Sequence, residues 1–332
     1  MTMGAKTCLL IMPLPFYAFE RVICDELKAR GYEVTLANEE YPHTPLGRVM
    51  GKLDLPIIRW WTRRVFRRRF LNGGRWTLVI IIKGRGVGPE LVKDLKASAD
   101  RVVGYHFDAL SYDRATRRWG ASVDRVSTFD YRDARDTGWP VVELFSAQPP
   151  LEPAPPVRHR LSAIQRNHSG RLAYLDRVVS ALGSEETFVF IFEKGPLSLL
   201  LNAIRQPALY WKWRKSISFK PLPYDQYLDA LASSEFTLDY AHPLQTGATM
   251  RCFEARAMGV KIITNNPHTL ESPYFSEQNA IVYPMNGDPD ALRARVRELA
   301  GVRPAPSQRT PAQFVTELVG DDLSRSPEPN AG

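Results

Sequence analysis

The fold is decided by Tyr240-Ala-His-Pro-Leu-Gln-Thr-Gly-Ala-Thr-Met-Arg-Cys-Phe-Glu-Ala-Arg-Ala-Met-Gly-Val-Lys-Ile-Ile-Thr-Asn265. The apolar run Phe236–Tyr240 reads as a strand that enters a Pro/Gly turn. The spacing then predicts a helix from Gly247 to Met258, with Met250, Phe253 and Ala257 on one buried stripe. Gly259 is expected to end it, and Lys261–Thr264 to be the next strand. Strand, loop, helix, strand is the repeating unit of a parallel sheet. The loop residues Gln245, Thr246, Gly247, Ala248 and Thr249 put small side chains and hydroxyls at a helix start. Free backbone N–H groups and the positive end of the helix dipole favour a phosphate there. Glu254 lies about 10 Å further along the axis and leans back toward the start. It is placed to accept hydrogen bonds from ribose hydroxyls while the helix start holds a diphosphate. A capped core helix with Glu254 on its solvent edge satisfies the same spacing.

The segment resembles the donor-binding half of GT-B glycosyltransferases, above all bacterial polysaccharide and lipopolysaccharide biosynthesis transferases. These carry His-Pro-x-Gln-[Ser/Thr]-Gly-x-Thr-Met-Arg-x-x-Glu followed by Gly-x-Lys-[Ile/Leu]-Ile-Thr-x-Asn. Here the pattern reads His242-Pro-Leu-Gln-Thr-Gly-Ala-Thr-Met-Arg-Cys-Phe-Glu254 and then Gly259-Val-Lys-Ile-Ile-Thr-Asn-Asn266. It continues more thinly upstream through Ile217–Tyr224 and Tyr227–Ser234. Many retaining members carry Glu-x7-Glu, whose second Glu holds the ribose. Glu254 takes that second place, but the first falls at Thr246, so the stereochemical outcome is not carried over.

The resemblance implies an α/β, GT-B type protein: two Rossmann-like doubly wound domains facing a cleft. Residues 1–150 would form the acceptor domain and 158–302 the nucleotide-sugar donor domain. A C-terminal helix over 303–320 would cross back, and 321–332 would be a disordered tail. The implied activity moves a sugar from a nucleotide-diphosphate sugar to a bacterial surface glycan, polysaccharide or lipid-linked, with no metal and no cofactor. His242, Gln245, Thr246, Gly247, Thr249, Arg251 and Glu254 would contact the donor, with Lys220, Tyr224, Asn167 and Arg171 as further candidates. Two other readings stay open: a sugar-nucleotide epimerase on the same fold, and a non-catalytic glycan- or membrane-binding partner.

A chain of 332 residues suggests two domains. No apolar run is long enough to span a bilayer, and no signal-peptide pattern opens the chain. Cys8, Cys24 and Cys252 have no paired spacing, which argues against a disulfide framework or zinc site and for a reducing cytoplasm. The net charge of +8 suits polyanions, phosphorylated substrates or an anionic membrane surface. Residues 57–75 interleave six arginines between Arg59 and Arg69 with Trp60, Trp61, Phe66 and Phe70. Such a helix suits the inner face of an anionic membrane. An outer helix with aromatics inward and solvated arginines fits too. No nucleic-acid motif accompanies the charge.

The chain opens with a βαβ pattern: Thr7–Met12, a helix from Glu20 to Arg30, and Tyr32–Leu36. It lacks Gly-x-Gly-x-x-Gly, against a dinucleotide oxidoreductase. The loop Pro13–Phe19 is a candidate wall of the acceptor site. Trp76–Lys83 is the strongest strand and empties into Lys83-Gly-Arg-Gly-Val-Gly88, which is not a Walker loop. Arg101–Tyr105 leads into His106-Phe-Asp108, where His106 and Asp108 are candidates for a general base or acceptor-orienting pair. Val141–Phe145 is read as a late strand of this half.

The proline-dense run 149–156 reads as a linker. Leu161–Arg166, the loop Asn167–Gly170 and a helix from Arg171 to Leu182 repeat the phosphate-capable turn, with His168 left to solvent. Leu197–Trp213, broken at Pro207, reads as core in preference to a surface-seeking segment. Asp288-Pro-Asp290 reads as a helix cap, not a metal site.

Overall fold

The computed structural model describes residues 6–14, 19–113 and 115–320. Most of the loop read as an acceptor wall (15–18), Arg114 and the 321–332 tail lie outside the described residues. The chain divides into two compact units, one up to Ala147 together with the segment from Thr310, the other Gln148–Arg309.

In the first unit β1 (Lys6–Met12), α1 (Phe19–Ala29) and β2 (Tyr32–Asn38) are followed by α2 (Pro45–Lys52) and α3 (Pro56–Arg69). Then come β3 (Leu78–Ile82), α4 (Pro89–Ala97), β4 (Val102–His106), α5 (Ala115–Trp119), β5 (Arg125–Thr128) and α6 (Tyr131–Thr137). The strands form one parallel sheet in the order β2-β1-β3-β4-β5, a doubly wound topology. Helices cover both faces of such a sheet, so its central strands must be apolar throughout. Every residue of β3, Leu-Val-Ile-Ile-Ile, is buried. The run Val141–Phe145 is a correction to the strand expectation. Val142, Leu144 and Phe145 are buried, but only Val141 bridges the sheet, to Thr128.

The second unit contains β6 (His159–Arg166), α7 (Arg171–Leu182), β7 (Thr187–Phe192), α8 (Pro196–Arg205), α9 (Pro207–Trp213) and β8 (Ile217–Ser218). It continues with α10 (Tyr224–Ala232), β9 (Ser234–Asp239), α11 (Met250–Ala257), β10 (Lys261–Thr264), β11 (Ala280–Val282) and α12 (Pro289–Leu299). Its six-stranded sheet has the order β11-β10-β9-β6-β7-β8, with every pair parallel. β6 therefore lies between β7 and β9, and the winding reverses at the β6/β9 boundary. Pro207 separates α8 from α9, as a missing N–H and a ring clash require. Asp288 caps α12 by accepting from Asp290 N.

The last helix, α13 (Pro311–Val319), belongs to the first unit. Phe314 packs edge-on against Tyr105 and also touches Phe145. Arg30 donates to Ala312 O and Thr316 Oγ1.

Candidate functional site

In an open parallel sheet the loops diverge where the winding reverses, leaving a crevice beyond the strands' carboxyl ends. In the second unit that point is the end of β6 and β9, and both strands run straight into the loops singled out from sequence. β6 ends at Arg166 and gives Asn167–Gly170 and then Arg171, the first residue of α7. β9 ends at Asp239 and gives the 240–249 loop and α11. Ser169 and Gly170 are both left-handed, at φ 55° and 86°. This double turn presents the Ser169 carbonyl to the Tyr240 hydroxyl, which donates to it at 2.6 Å. A Cβ on Gly170 would sit 3.1 Å from that hydroxyl. The two loops are thus joined.

The 240–249 loop is also fastened from below. Asn265 accepts from Ala241 N at 2.8 Å and donates to Ala241 O at 3.0 Å. Asn266 donates to the carbonyls of Thr246 (2.9 Å) and Gly247 (3.3 Å). Those carbonyls are therefore held outside the helical ladder, and α11 starts at Met250 instead of the expected Gly247. Thr249 is the N-cap, yet its hydroxyl does not cap. It donates to Asp239 Oδ1 at 2.6 Å, while Thr264 donates to Oδ2 at 2.9 Å. The first N–H groups of α11 are left without a side-chain cap.

Around this start stand two guanidinium groups. The Nε atoms of Arg171 and Arg251 are both buried and have no hydrogen-bond partner among the described residues. Burial, and next the charge of Arg251, presses the Arg171 pKa down to about 10, with Asp239 the leading opposing influence. Burial also opposes the charge on Arg251, but Tyr227, Asp239 and Glu254 raise its pKa. Two cations close enough to repel, with unused buried donors beside an uncapped helix start, form a site that an anion would relieve. His242 is half-buried, and burial together with Arg171 lowers its pKa, so it is neutral near pH 7. Its Nδ1 accepts from Leu244 N at 3.2 Å.

Glu254 is buried behind this pair. Tyr227 donates to its Oε2, and Tyr224 reaches Oε1 at 3.5 Å. The two tyrosine rings stack with centroids 5.8 Å apart. Burial pushes the carboxyl pKa up, and Tyr227, Arg251 and Tyr224 draw it partly back.

A family described as "Glycosyl transferase-like" matches residues 195–308. No curated protein sequence matches the chain. Among solved structures, sucrose-phosphate synthase from Thermosynechococcus elongatus superposes with a TM-score of 0.60 at 10% identity, over 96% of each chain. UDP-GlcNAc 2-epimerase from Methanocaldococcus jannaschii, in complex with UDP-GlcNAc and UDP, gives 0.56 at 12% identity over 95% of this chain and 98% of that one. AviGT4, a glycosyltransferase of avilamycin A biosynthesis, gives 0.55 at 14% identity over 95% and 93%. The fold is GT-B.

Within this GT-B chain the sequence candidates separate. Arg171, His242, Thr249, Arg251, Glu254 and Tyr224 converge at the β6/β9 switch point, with Gln245 in the adjoining turn, its N–H bonded to His242 O at 2.8 Å. Thr246 and Gly247 form the buried base of the loop. Asn167 instead turns away, donating to Glu193 Oε1 at 2.8 Å. Lys220 is exposed, and its backbone N–H and carbonyl both bond the Ser218 hydroxyl. Asp239 and Tyr227 were not singled out from sequence. An acidic residue at the end of a buried strand, directly before the motif, was the available signal for Asp239. Lys261 of the motif is structural: its buried ammonium donates to Leu299 O (2.5 Å) and Val302 O (2.6 Å), closing the end of α12.

His106 and Asp108 lie in the first unit and do not pair with each other. Thr116 donates its single hydrogen to Lys83 O at 3.1 Å, and its oxygen lies 2.7 Å from His106 Nδ1. Nε2 is buried without a hydrogen-bond partner among the described residues. Burial lowers the His106 pKa to about 4, against the pull of Asp108 and Asp113. Asp108 is ion-paired with Lys83 at 2.7 Å. Nearby, Arg85 pairs with Asp113 at 2.7 Å and donates its backbone N–H to Glu39, an acidic–basic cluster that sequence reading missed. Among the described residues no group of three or more His, Cys, Asp or Glu is placed to hold a metal ion.

Proposed function

We propose that this protein is a glycosyltransferase that takes its sugar from a nucleotide-diphosphate donor held by the second unit. The observation that carries the reading is the Arg171–Arg251 pair beside the uncapped start of α11, at the switch point of the second sheet. The diphosphate would take the buried guanidinium donors and the free N–H groups of α11. Glu254 would accept from the ribose, exchanging its Tyr224 contact, while Tyr227 keeps it oriented. His242 and Gln245 would face the sugar. The two arginines would offset the charge that develops on the departing diphosphate, a task that needs no metal ion. The family match over 195–308 supports this reading, because it contains α11 and the whole motif. The acceptor, a growing surface glycan or its lipid-linked form, would be engaged by the first unit. There His106 and Asp108 would be the base or the acceptor-orienting groups, although a histidine whose pKa is pressed to about 4 is a weak proton acceptor at neutral pH. We place the reaction in the cytoplasm, consistent with three buried free thiols.

Sugar-nucleotide epimerases share the fold at a similar TM-score, so the products must decide. Thermal stabilisation by a panel of sugar nucleotides identifies the donor by mass action, and the reaction is then run with and without glycan acceptors. Release of nucleoside diphosphate coupled to a lengthened glycan supports the transferase. An altered sugar nucleotide formed from donor alone means an epimerase. Stabilisation by no sugar nucleotide would remove both readings.

A further inference from the structure

The helix α8 faces the wrong way for a core helix. Its inward polar residues serve Glu193: Ser198 donates to Oε2 at 2.9 Å and Asn202 to Oε1 at 3.3 Å. Only Leu199 and Ala203 pack against the core, and no residue of the helix is buried. Its other apolar residues point outward, with Leu197 70%, Leu200 55%, Leu201 52% and Ile204 69% exposed. The expectation that Leu197–Trp213 is core is corrected for this stretch. The phase of the helix is set by Glu193, whose two partners on α8, Ser198 and Asn202, claim the polar face, and the leucines take the other. In α9, Tyr210 and Trp213 are buried, but Trp211 is 71% exposed, the most exposed large apolar residue in the described chain.

The segment itself carries one sign of charge, with Lys212 ion-paired to Asp176 of α7 at 2.6 Å. From Lys194 to Ser216 there are five Lys and Arg residues and no Asp or Glu. Arg205, Arg214 and Lys215 are exposed, and the Arg214 guanidinium stacks on the Trp211 ring at 4.2 Å. An apolar stripe beside an interfacial tryptophan and cations is the pattern of a helix lying in an anionic lipid headgroup layer. No helix among the described residues is long and apolar enough to cross a membrane.

We propose that α8 and α9 form a docking face of the second unit for an anionic phospholipid bilayer. Leu197, Leu200, Leu201, Ile204 and Trp211 enter the headgroup–acyl boundary. Arg205, Arg214 and Lys215 meet the lipid phosphates. The proposal goes beyond the transferase reading and does not need it, since binding is read without turnover.

The test is flotation of the full-length protein with vesicles of phosphatidylcholine alone and of phosphatidylcholine mixed with phosphatidylglycerol. The wild type should float with the anionic vesicles and much less with the neutral ones, and high salt should weaken the association. The double substitution Leu197→Glu/Leu201→Glu should lower the partition coefficient at least about tenfold with an unchanged melting temperature, because both side chains are exposed. Arg205→Gln/Arg214→Gln should lower it selectively for anionic vesicles. The idea fails if the wild type does not float, or binds both vesicle types equally. It also fails if the leucine variant floats like the wild type while Trp60→Ser/Trp61→Ser in α3 abolishes binding. Concentration-dependent self-association of the wild type, lost in the leucine variant and without vesicle binding, would make the face a protein interface and overturn the proposal.

Discussion

At the scale of single residues the site is a problem of paired charges. Glu254 keeps its acceptor role toward Tyr227 even without donor, so the two obvious substitutions should differ. Glu254→Gln retains an acceptor and should stay within about 1 kcal/mol of wild-type stability. Glu254→Ala leaves the Tyr227 hydroxyl buried and unsatisfied and should cost about 1–3 kcal/mol in denaturant unfolding. The same Ala variant should weaken donor binding by about 1.5–3 kcal/mol, the loss expected for a charged hydrogen-bonding group. Glu39 provides a pH test in the first unit. It is fully buried, and burial raises its carboxyl to about 7 from the ordinary 4.5, with the Arg85 backbone N–H the first opposing influence. Between those two values the folded chain holds a proton that the unfolded chain releases. Stability should therefore fall as pH rises from about 4.5 to 7, by about 3 kcal/mol in total, and then level off. Glu39→Gln, which still accepts from Arg85 N, should flatten that part of the pH profile. An unchanged slope would put the titration elsewhere.

At the scale of elements, the strands and helices with strong periodicity were legible from sequence. α7 and β10 fall on their expected residues. What failed has physical causes outside the local pattern. The side chain of Asn266 delays α11 by holding two carbonyls from a distant strand end. Val141–Phe145 carries strand-like burial but finds no ladder beyond one bridge. α8 has a core composition, and only the position of Glu193 shows which face turns in. The site was legible to the extent that its loops follow strands. Its charge balance was not, because Asp239 and Tyr227 join it through tertiary packing. Two substitutions test the element account. Gly259 ends α11 at φ +66°, and a Cβ there would lie 2.6 Å from the Pro304 carbonyl. Gly259→Ala should cost about 2 kcal/mol or more. Phe314→Ala removes a fully buried ring of α13 from between Tyr105 and Phe145 and should cost about 3–5 kcal/mol. Hydrogen exchange should place that loss in the first unit.

At the scale of the whole molecule, two parallel sheets carry different charge chemistry at their carboxyl ends. The second unit concentrates unsatisfied arginine donors, and the first balances acids against bases. A nucleoside diphosphate should therefore slow hydrogen exchange at the β6–α7 turn and the start of α11 and leave the Glu39–Arg85 region unchanged. The central claim is tested most directly by calorimetric titration of wild type and Arg171→Met with UDP, GDP and ADP. The account predicts that at least one nucleotide binds the wild type. It predicts that Arg171→Met weakens that binding at least about tenfold while melting no lower, since one of two mutually repelling buried cations has gone. Equal affinity in the two proteins, or no binding to the wild type, would contradict it.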